Sequence, residues 1–132
     1  MTIGFDFDGT LKGAPNFEQF IQLISPLLNQ QKTFILTTRD DITAQVQKHV
    51  RKLGLNTHSN NMIAIGRQLT NRMFDSKAHY ISMMQMKCDL FFDNDPYEIE
   101  DLRKYGIPCI WIPEIDKDSL MWEITDEFFK KR

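Results

Sequence analysis

Near the start of the chain stands Ile3-Gly4-Phe5-Asp6-Phe7-Asp8-Gly9, the stretch that decides the fold class. Its first residues have the apolar and aromatic character of a short buried strand, and this strand runs directly into two carboxylates and a glycine. Such a pattern indicates a strand that ends in polar, reactive side chains. The stretch therefore predicts a first strand with chemistry at its carboxyl end.

Four later segments have the same strand character, and helical patterns separate them. Strands are predicted at Thr33–Thr37, Met62–Ile65, Asp89–Asp93 and Pro108–Ile112. Helices are predicted at Asn16–Ile24, from Ser25-Pro26 onward, from Asp40 or Asp41 to Gly54, from Asp75-Ser76 onward, at Tyr97–Tyr105 and at Ser119–Phe129. Short buried strands alternating with helices predict an α/β fold, a doubly wound parallel sheet of five core strands with helices on both faces in three layers.

Length and composition predict one ordinary globular domain over residues 1–132. The chain is 42% hydrophobic and 26% charged, which is typical of such domains. No apolar run approaches the roughly 18 residues that cross a bilayer, and the start lacks a secretion signal, so we expect no membrane contact and a cytoplasmic location. A formal net charge of -2 means that any nucleic-acid contact must rest on a local basic patch.

Cysteine and histidine spacing argues against a zinc site. Cys88 and Cys109 have no CxxC partner and no nearby histidine pair, and both are expected to be reduced. His49, His58 and His79 share no spacing that would bind a metal.

In parallel α/β sheets, ligands bind outside the carboxyl ends of the strands. The polar residues predicted at that edge are Asp6, Asp8, Gly9, Thr37–Arg39 and Asp93–Asp95, together with Lys77 from the first turn of a helix. Carboxylates gathered in this way repel one another, so a hard cation is expected, and oxygen ligands suit Mg²⁺. A lysine and a hydroxyl beside such an ion are what a transferring phosphoryl group requires.

The stretch Asp6-Phe7-Asp8-Gly9-Thr10 resembles the DxDGT signature of phosphatases of the haloacid dehalogenase (HAD) superfamily, which lies on the first strand in that family. Three further motifs are similar and follow in order. They are Thr37 after an apolar run, Lys77, and Asp93 after Leu90-Phe91-Phe92. The resemblance spans residues 3 to about 112, which is most of the chain.

The resemblance implies a Mg²⁺-dependent phosphomonoester hydrolase. Asp6 would attack phosphorus and form an aspartyl phosphate, and Asp8 would act as the acid and base. The implied ligands of Mg²⁺ are the Asp6 carboxylate, the Asp8 backbone carbonyl and Asp93, and the implied phosphate-binding residues are Thr37, Thr38 and Lys77.

The fourth motif departs from the family pattern. Many relatives have two consecutive acids there, whereas Asp93 is followed by Asn94 and then by Asp95. Asn94 could hold a metal-bound water, or Asp95 could supply the lost charge. Arg39, just after the second motif, is expected close enough to contact a substrate phosphate or an acid behind the site.

The sequence indicates the type of reaction more clearly than it indicates the substrate. The connections from Asp8 to Thr37 and from Arg39 to Lys77 are too short for an inserted cap domain, so we expect an open site suited to large substrates. The stretch Leu90–Trp111 is similar to part of polynucleotide kinase 3′-phosphatase modules. Three functions stay open: a phosphatase of nucleic-acid 3′ ends or other macromolecular phosphoesters, a nucleotide or small-molecule phosphatase with a neighbouring subunit as lid, and a non-catalytic binding module.

Overall fold

Five parallel strands form one sheet in the computed structural model, which describes residues 1–112. The strands are β1 (Thr2–Phe5), β2 (Lys32–Thr37), β3 (Met62–Ala64), β4 (Leu90–Asp93) and β5 (Cys109–Trp111). Their spatial order is β3-β2-β1-β4-β5, with each neighbouring pair parallel. The chain extends the sheet first on one side of β1 and then on the other, so the order reverses at β1. Ligand crevices of such sheets lie at that reversal.

Helices cover both faces of the sheet. The helices of residues 1–112 are α1 (Pro15–Leu28), α2 (Ala44–Lys52), α3 (Gly66–Thr70), α4 (Lys77–Met83) and α5 (Pro96–Lys104). One buried core joins α1 and α2 to the sheet, and a second core joins α4 and α5 to its other face. Successive strand residues point to opposite faces, so Ile35 lies in the first core and its neighbours Phe34 and Leu36 lie in the second. The predicted three-layer α/β fold is confirmed.

One helix replaces the two that were predicted between β1 and β2. The sequence indicated a new helix at Ser25-Pro26, but α1 continues through Pro26 to Leu28. A proline inside a helix leaves the carbonyl four residues earlier without its N–H donor, which here is Gln22. The Ser25 hydroxyl donates to the Gln22 carbonyl oxygen at 3.1 Å and supplies the missing hydrogen bond. The prediction of two helices was wrong because this hydroxyl replaces the N–H donor that Pro26 lacks.

Two further element boundaries differ from the predictions. Helix α2 is capped by Thr43, whose hydroxyl accepts from the Val46 N–H at 3.3 Å, and not by Asp40 or Asp41. The five-residue helix α3, which begins directly after the predicted strand Met62–Ile65, was not predicted. The predicted cap at Ser76 is confirmed. The predicted helix Ser119–Phe129 lies outside the described residues.

The connections around β2 hold no second folded unit within residues 1–112. Between β1 and β2 lie a tight loop and α1, and between β2 and α4 lie α2, a 3-10 turn at Ser59–Asn61, β3 and α3. In this described part of the chain, every helix is too short or too polar to cross a membrane.

Candidate active site

Asp6 lies directly beyond the end of β1, at the reversal of strand order. Its backbone N–H donates to the Phe92 carbonyl oxygen at 2.9 Å, which extends the pairing of β1 with β4 up to Asp6. The Asp6 side chain is 7% exposed, and the Thr10 hydroxyl donates to its Oδ2 at 3.1 Å. Strand pairing and the following turn therefore fix the orientation of this carboxylate.

Gly9 permits the turn that follows. Its φ of +81° lies in the left-handed region, and its N–H donates to the Lys12 carbonyl oxygen at 2.7 Å. A Cβ added at Gly9 would lie 2.2 Å from Nδ2 of Asn94. The glycine therefore lets Asn94 approach the loop between Asp6 and Asp8.

Lys77 joins two buried carboxylates. Its Nζ lies 2.6 Å from Oδ1 of Asp6 and 2.9 Å from Oδ2 of Asp93, and all three side chains are buried. Lys77 is the first residue of α4, and its backbone N–H donates to Oε2 of Glu98 at 2.9 Å. The structure thus brings together three residues that the sequence placed at one sheet edge. Arg67, a basic residue of α3, is exposed and pairs with Asp41 at 3.5 Å.

Burial and charge act in opposite directions on this cluster. Burial raises the pKa of Asp6 to about 6, although Lys77 opposes the rise. Burial alone would lower the pKa of Lys77, but the adjacent Asp6 and Asp93 carboxylates outweigh it, so the pKa is raised. Lys77 therefore remains a cation at neutral pH.

The carboxylates of Asp93 and Asp95 form hydrogen bonds with groups other than Asp6. Oδ1 of Asp93 accepts from the Asp95 N–H at 3.0 Å, while its Oδ2 faces Lys77. Oδ1 of Asp95 accepts from the Tyr97 N–H at 2.9 Å and caps α5. The hydrogen bonds of both acids thus involve groups other than Oδ2, the second Asp6 oxygen.

Asn94 lies against that second oxygen. One end of its side-chain amide is 2.8 Å from Oδ2 of Asp6 and 3.1 Å from the backbone oxygen of Asp8. With its nitrogen turned inward, the amide donates a hydrogen bond to each of them. With its oxygen turned inward, the amide would face these two oxygens without a donor, and a bound cation would be needed to stabilise that arrangement.

The second arrangement fits Mg²⁺. Oxygen ligands at 2.0–2.1 Å in an octahedron lie about 2.9 Å apart, close to the separations around Asn94. The set consists of one carboxylate, one backbone carbonyl and one amide oxygen. Within residues 1–112 there is no group of three or more His, Cys, Asp or Glu side chains arranged to hold a metal, and this mixed set does not require one.

Arg39 binds both oxygens of the Asp8 carboxylate. Its Nε donates to Oδ2 at 2.7 Å and its Nη2 donates to Oδ1 at 2.8 Å. The guanidinium also lies over the ring of Phe7, with its carbon 5.1 Å from the ring centroid. This bidentate contact holds the pKa of Asp8 below its usual range. The sequence placed Arg39 near the site but did not identify Asp8 as its partner.

The backbone of Arg39 is fixed at both of its polar groups. Its N–H donates to the Thr37 hydroxyl oxygen at 3.2 Å, and its carbonyl oxygen accepts from the Gly66 N–H at 3.0 Å. A Cβ at Gly66 would lie 2.3 Å from the Thr38 carbonyl oxygen, so only glycine allows this approach. Thr37 is buried at the end of β2, whereas Thr38 is exposed.

Sequence reasoning missed a contact that holds the loop after Asp8. Nε2 of His49 lies 2.7 Å from the Leu11 carbonyl oxygen and 3.0 Å from Oε1 of Glu18. Oε2 of Glu18 accepts from the Gly13 N–H at 3.2 Å. These residues come from α1 and α2, and no local pattern in the sequence relates His49 to a loop 38 residues earlier.

No protein-family model matches the chain, and neither does any curated protein. Among solved structures, an uncharacterized protein from Corynebacterium glutamicum superposes with a TM-score of 0.64 at 13% identity, over 98% of this chain and 94% of that one. This likeness shows the fold alone.

Two longer proteins match with lower scores. A hypothetical protein from Pyrococcus horikoshii has a TM-score of 0.35 at 20% identity, over 86% of this chain and 42% of that one. A p-nitrophenyl phosphatase from Archaeoglobus fulgidus has a TM-score of 0.36 at 17% identity, over 83% of this chain and 40% of that one. The chain thus spans less than half the length of either protein.

Proposed function

We propose that the protein is a Mg²⁺-dependent phosphomonoester hydrolase in which Asp6 is phosphorylated during turnover. One observation carries the proposal: the two oxygens of the buried Asp6 carboxylate face different groups. Oδ1 faces the Lys77 ammonium at 2.6 Å, and Oδ2 faces the Asn94 amide at 2.8 Å. Such a carboxylate has one oxygen beside a cation that can bind phosphoryl oxygens and one in a place that suits a metal ion.

The reaction would proceed in two displacements at phosphorus. Asp6 forms a bond to phosphorus while the bond to the leaving oxygen breaks. Asp8, which would take up a proton from solvent when the Arg39 contact opens, gives that proton to the leaving oxygen. Asp8 then takes a proton from a water molecule, which attacks phosphorus and releases Asp6 and inorganic phosphate. Lys77 and the Thr37 hydroxyl would bind the phosphoryl oxygens throughout, with the exposed Thr38 at the edge of this group.

The proposed ligands of Mg²⁺ are the Asp6 carboxylate, the Asp8 backbone carbonyl and the side-chain oxygen of Asn94. The Asp93 carboxylate, which the sequence resemblance implies as a ligand, stays in the proposal. Its oxygens accept from the Lys77 ammonium and the Asp95 N–H, as those of Asp6 accept from Lys77 and Thr10, and each keeps a lone pair for a metal ion. Bound Mg²⁺ would neutralise charge on the phosphoryl oxygens. Asp93 would also hold Lys77 in place.

The proposed substrate is a macromolecular phosphoester such as a nucleic-acid 3′-phosphate. The side chains of Asp8 and Arg39 are 52% and 33% exposed, and no inserted unit lies over them within residues 1–112. A site this open needs a substrate that excludes water with its own bulk. A nucleotide substrate covered by a neighbouring subunit remains the alternative for the same chemistry.

The test is Mg²⁺-dependent phosphate release from 3′-phosphorylated oligonucleotides, nucleoside monophosphates and phosphopeptides. Asp6→Asn should abolish release, whereas Asp41→Asn, the same change at an exposed acid that pairs with Arg67, should leave it intact. Borohydride reduction during turnover should convert Asp6 to homoserine, which mass spectrometry detects.

Three other results of the phosphate-release assay would argue against parts of the proposal. Activity that survives Asp6→Asn would contradict the mechanism. Faster turnover of mononucleotides than of any oligonucleotide would favour the nucleotide alternative, and no activity on the whole panel would favour a binding module.

A further inference from the structure

Arg39 binds the Asp8 carboxylate, which the proposed reaction needs as its acid and base. Both oxygens of the Asp8 carboxylate accept N–H groups from one guanidinium, at 2.7 Å and 2.8 Å. To give a proton to the leaving oxygen and later take one from water, Asp8 must direct an oxygen at the substrate. The observed contact therefore represents a resting state that has to open before chemistry.

A replacing acceptor for the guanidinium would favour the opening of this contact. Arginine binds carboxylate and phosphate with the same two-pronged geometry, so an oxyanion is the group best able to replace Asp8. The fixed backbone of Arg39 keeps the base of its side chain at the end of β2. The replacing anion must therefore come to Arg39, and the 33% exposure of the side chain leaves it accessible.

The reacting phosphoryl group is not the best candidate for this anion. It must contact Asp6, which is 7% exposed and lies beside the buried Lys77. The Arg39 contact lies on Asp8, which is 52% exposed and so belongs to the outer side of the site. An anion that reaches Arg39 from this side would belong to another part of the substrate.

We propose that Arg39 determines specificity by selecting phosphomonoesters with a second anionic group, which takes the guanidinium from Asp8 and frees that carboxylate. The inference rests on the proposed function and names its substrate class. A nucleoside 3′-phosphate with a phosphate on its 5′ side fits this description, and so does a sugar bisphosphate. The shared chemistry is the second oxyanion.

The test uses substrate pairs that differ in one phosphate. Thymidine 3′,5′-bisphosphate is compared with thymidine 3′-monophosphate, and loss of the 3′-phosphate is followed by chromatography. Fructose 1,6-bisphosphate and fructose 6-phosphate form the second pair, which shows whether the second phosphate must belong to a nucleotide. The values of kcat and KM are measured with Mg²⁺ for the full chain, Arg39→Gln, Arg39→Lys and the control Arg67→Gln.

The wild-type protein should prefer the bisphosphate of at least one pair by on the order of 10-fold in kcat/KM, as expected for a charged hydrogen-bonded contact. Much of the preference should appear in kcat, because the second anion frees Asp8 for the chemical step. Arg39→Gln should reduce the ratio to about one, Arg39→Lys should keep a smaller preference since lysine cannot bind in two prongs, and Arg67→Gln should keep the full ratio.

Binding provides a readout that does not depend on turnover. In the Asp6→Asn background, calorimetric titration should show tighter binding of thymidine 3′,5′-bisphosphate than of the monophosphate. Adding Arg39→Gln to that background should remove the difference.

Two results would overturn the inference alone. One is equal kcat/KM for mono- and bisphosphates of both pairs in the wild-type protein. The other is an equal loss on both substrates in Arg39→Gln with the ratio unchanged, which would make Arg39 a structural support of Asp8. Hydrolysis of none of the four substrates and of no oligonucleotide, nucleoside monophosphate or phosphopeptide of the panel above would instead overturn the proposed function, and the inference with it.

Discussion

Lys77 is a buried cation whose stability depends on its partners. Its side chain is 2% exposed and lies between the carboxylates of Asp6 and Asp93. A buried ion pair contributes little against an apolar replacement of the whole group, but removal of one partner leaves an uncompensated charge. The three side chains therefore behave as one unit.

Replacement of this lysine should destabilise the fold. We expect Lys77→Met to lower the free energy of unfolding by about 3–5 kcal/mol, because Asp6 and Asp93 then face each other without a cation. Urea denaturation measures the loss. The double variant Lys77→Met/Asp93→Asn should recover part of it, and a double variant as unstable as the single one would contradict the account.

Cys88 should be an unreactive thiol despite its partial exposure. Burial raises the pKa of Cys88 to about 12, and its Sγ donates to the Leu90 carbonyl oxygen at 3.5 Å. Because the thiolate is the reactive form, its alkylation at pH 8 should be roughly a thousandfold slower than in the unfolded chain. The rate should rise with pH up to pH 10. Mass spectrometry of the Cys88 peptide after iodoacetamide treatment measures it, and a native rate within tenfold of the unfolded rate would exclude the shift.

The sequence was sufficient to identify Asp6, Asp8 and Lys77 as neighbours, because each follows a strand or begins a helix at one sheet edge. It could not decide between Asp93 and Asn94 at the second Asp6 oxygen. That choice depends on the register in which β4 pairs with β1, where Phe5 lies opposite Phe92. Register across 87 residues of chain is a tertiary property that local patterns do not contain.

At the scale of elements, the start of α4 positions the chemistry. The Ser76 hydroxyl caps this helix by accepting from the His79 N–H at 3.1 Å, directly before Lys77. Thr43 caps α2 in the same manner, but α2 carries none of the proposed catalytic residues. The two caps are therefore a matched pair: both stabilise the start of a helix, but only the Ser76 cap lies next to a proposed catalytic residue.

Removal of either cap should lower stability by about 1 kcal/mol. Ser76→Ala should also reduce kcat severalfold, because the first turn of α4 holds Lys77 between its carboxylates. Thr43→Ala should change stability without changing kcat. Thermal unfolding and phosphatase assays on both variants check this, and an equal effect on kcat in the two would contradict a positioning role for the start of α4.

The strands were predictable because each is a short apolar run between polar segments, as Thr33–Thr37 illustrates. The helix boundaries were less predictable than the strands. The continuation of α1 through Pro26 depends on one serine hydroxyl, and the start of α2 depends on which of three neighbouring polar residues turns its side chain inward. Such choices are made by single hydrogen bonds that several residue types could supply.

At the scale of the molecule, the central strand is packed tightly against one core. A Cβ at Gly4 would lie 2.4 Å from Cζ of Phe34 and 2.5 Å from Cδ2 of Phe91. Both rings belong to the core that α4 and α5 cover. The absence of a side chain at Gly4 therefore lets the rings of Phe34 and Phe91, from the two flanking strands, approach the backbone of β1.

Addition of one methyl group should disturb that core. Gly4→Ala should destabilise the fold by about 1–3 kcal/mol through overpacking. In a Phe34→Leu background the same change should cost less, because the shorter side chain leaves room. Chemical denaturation of the four proteins gives the coupling, and equal costs in both backgrounds would show that the strain lies elsewhere.

The position of β1 between β2 and β4 also has a consequence for biosynthesis. A ribosome makes Asp6 84 residues before β4 begins at Leu90. Until then, one edge of β1 has unpaired backbone groups, and the incomplete sheet offers a place where other nascent chains can add a strand. The strand order that forms a crevice in the finished molecule thus leaves this edge open to aggregation until Leu90–Asp93 have been made.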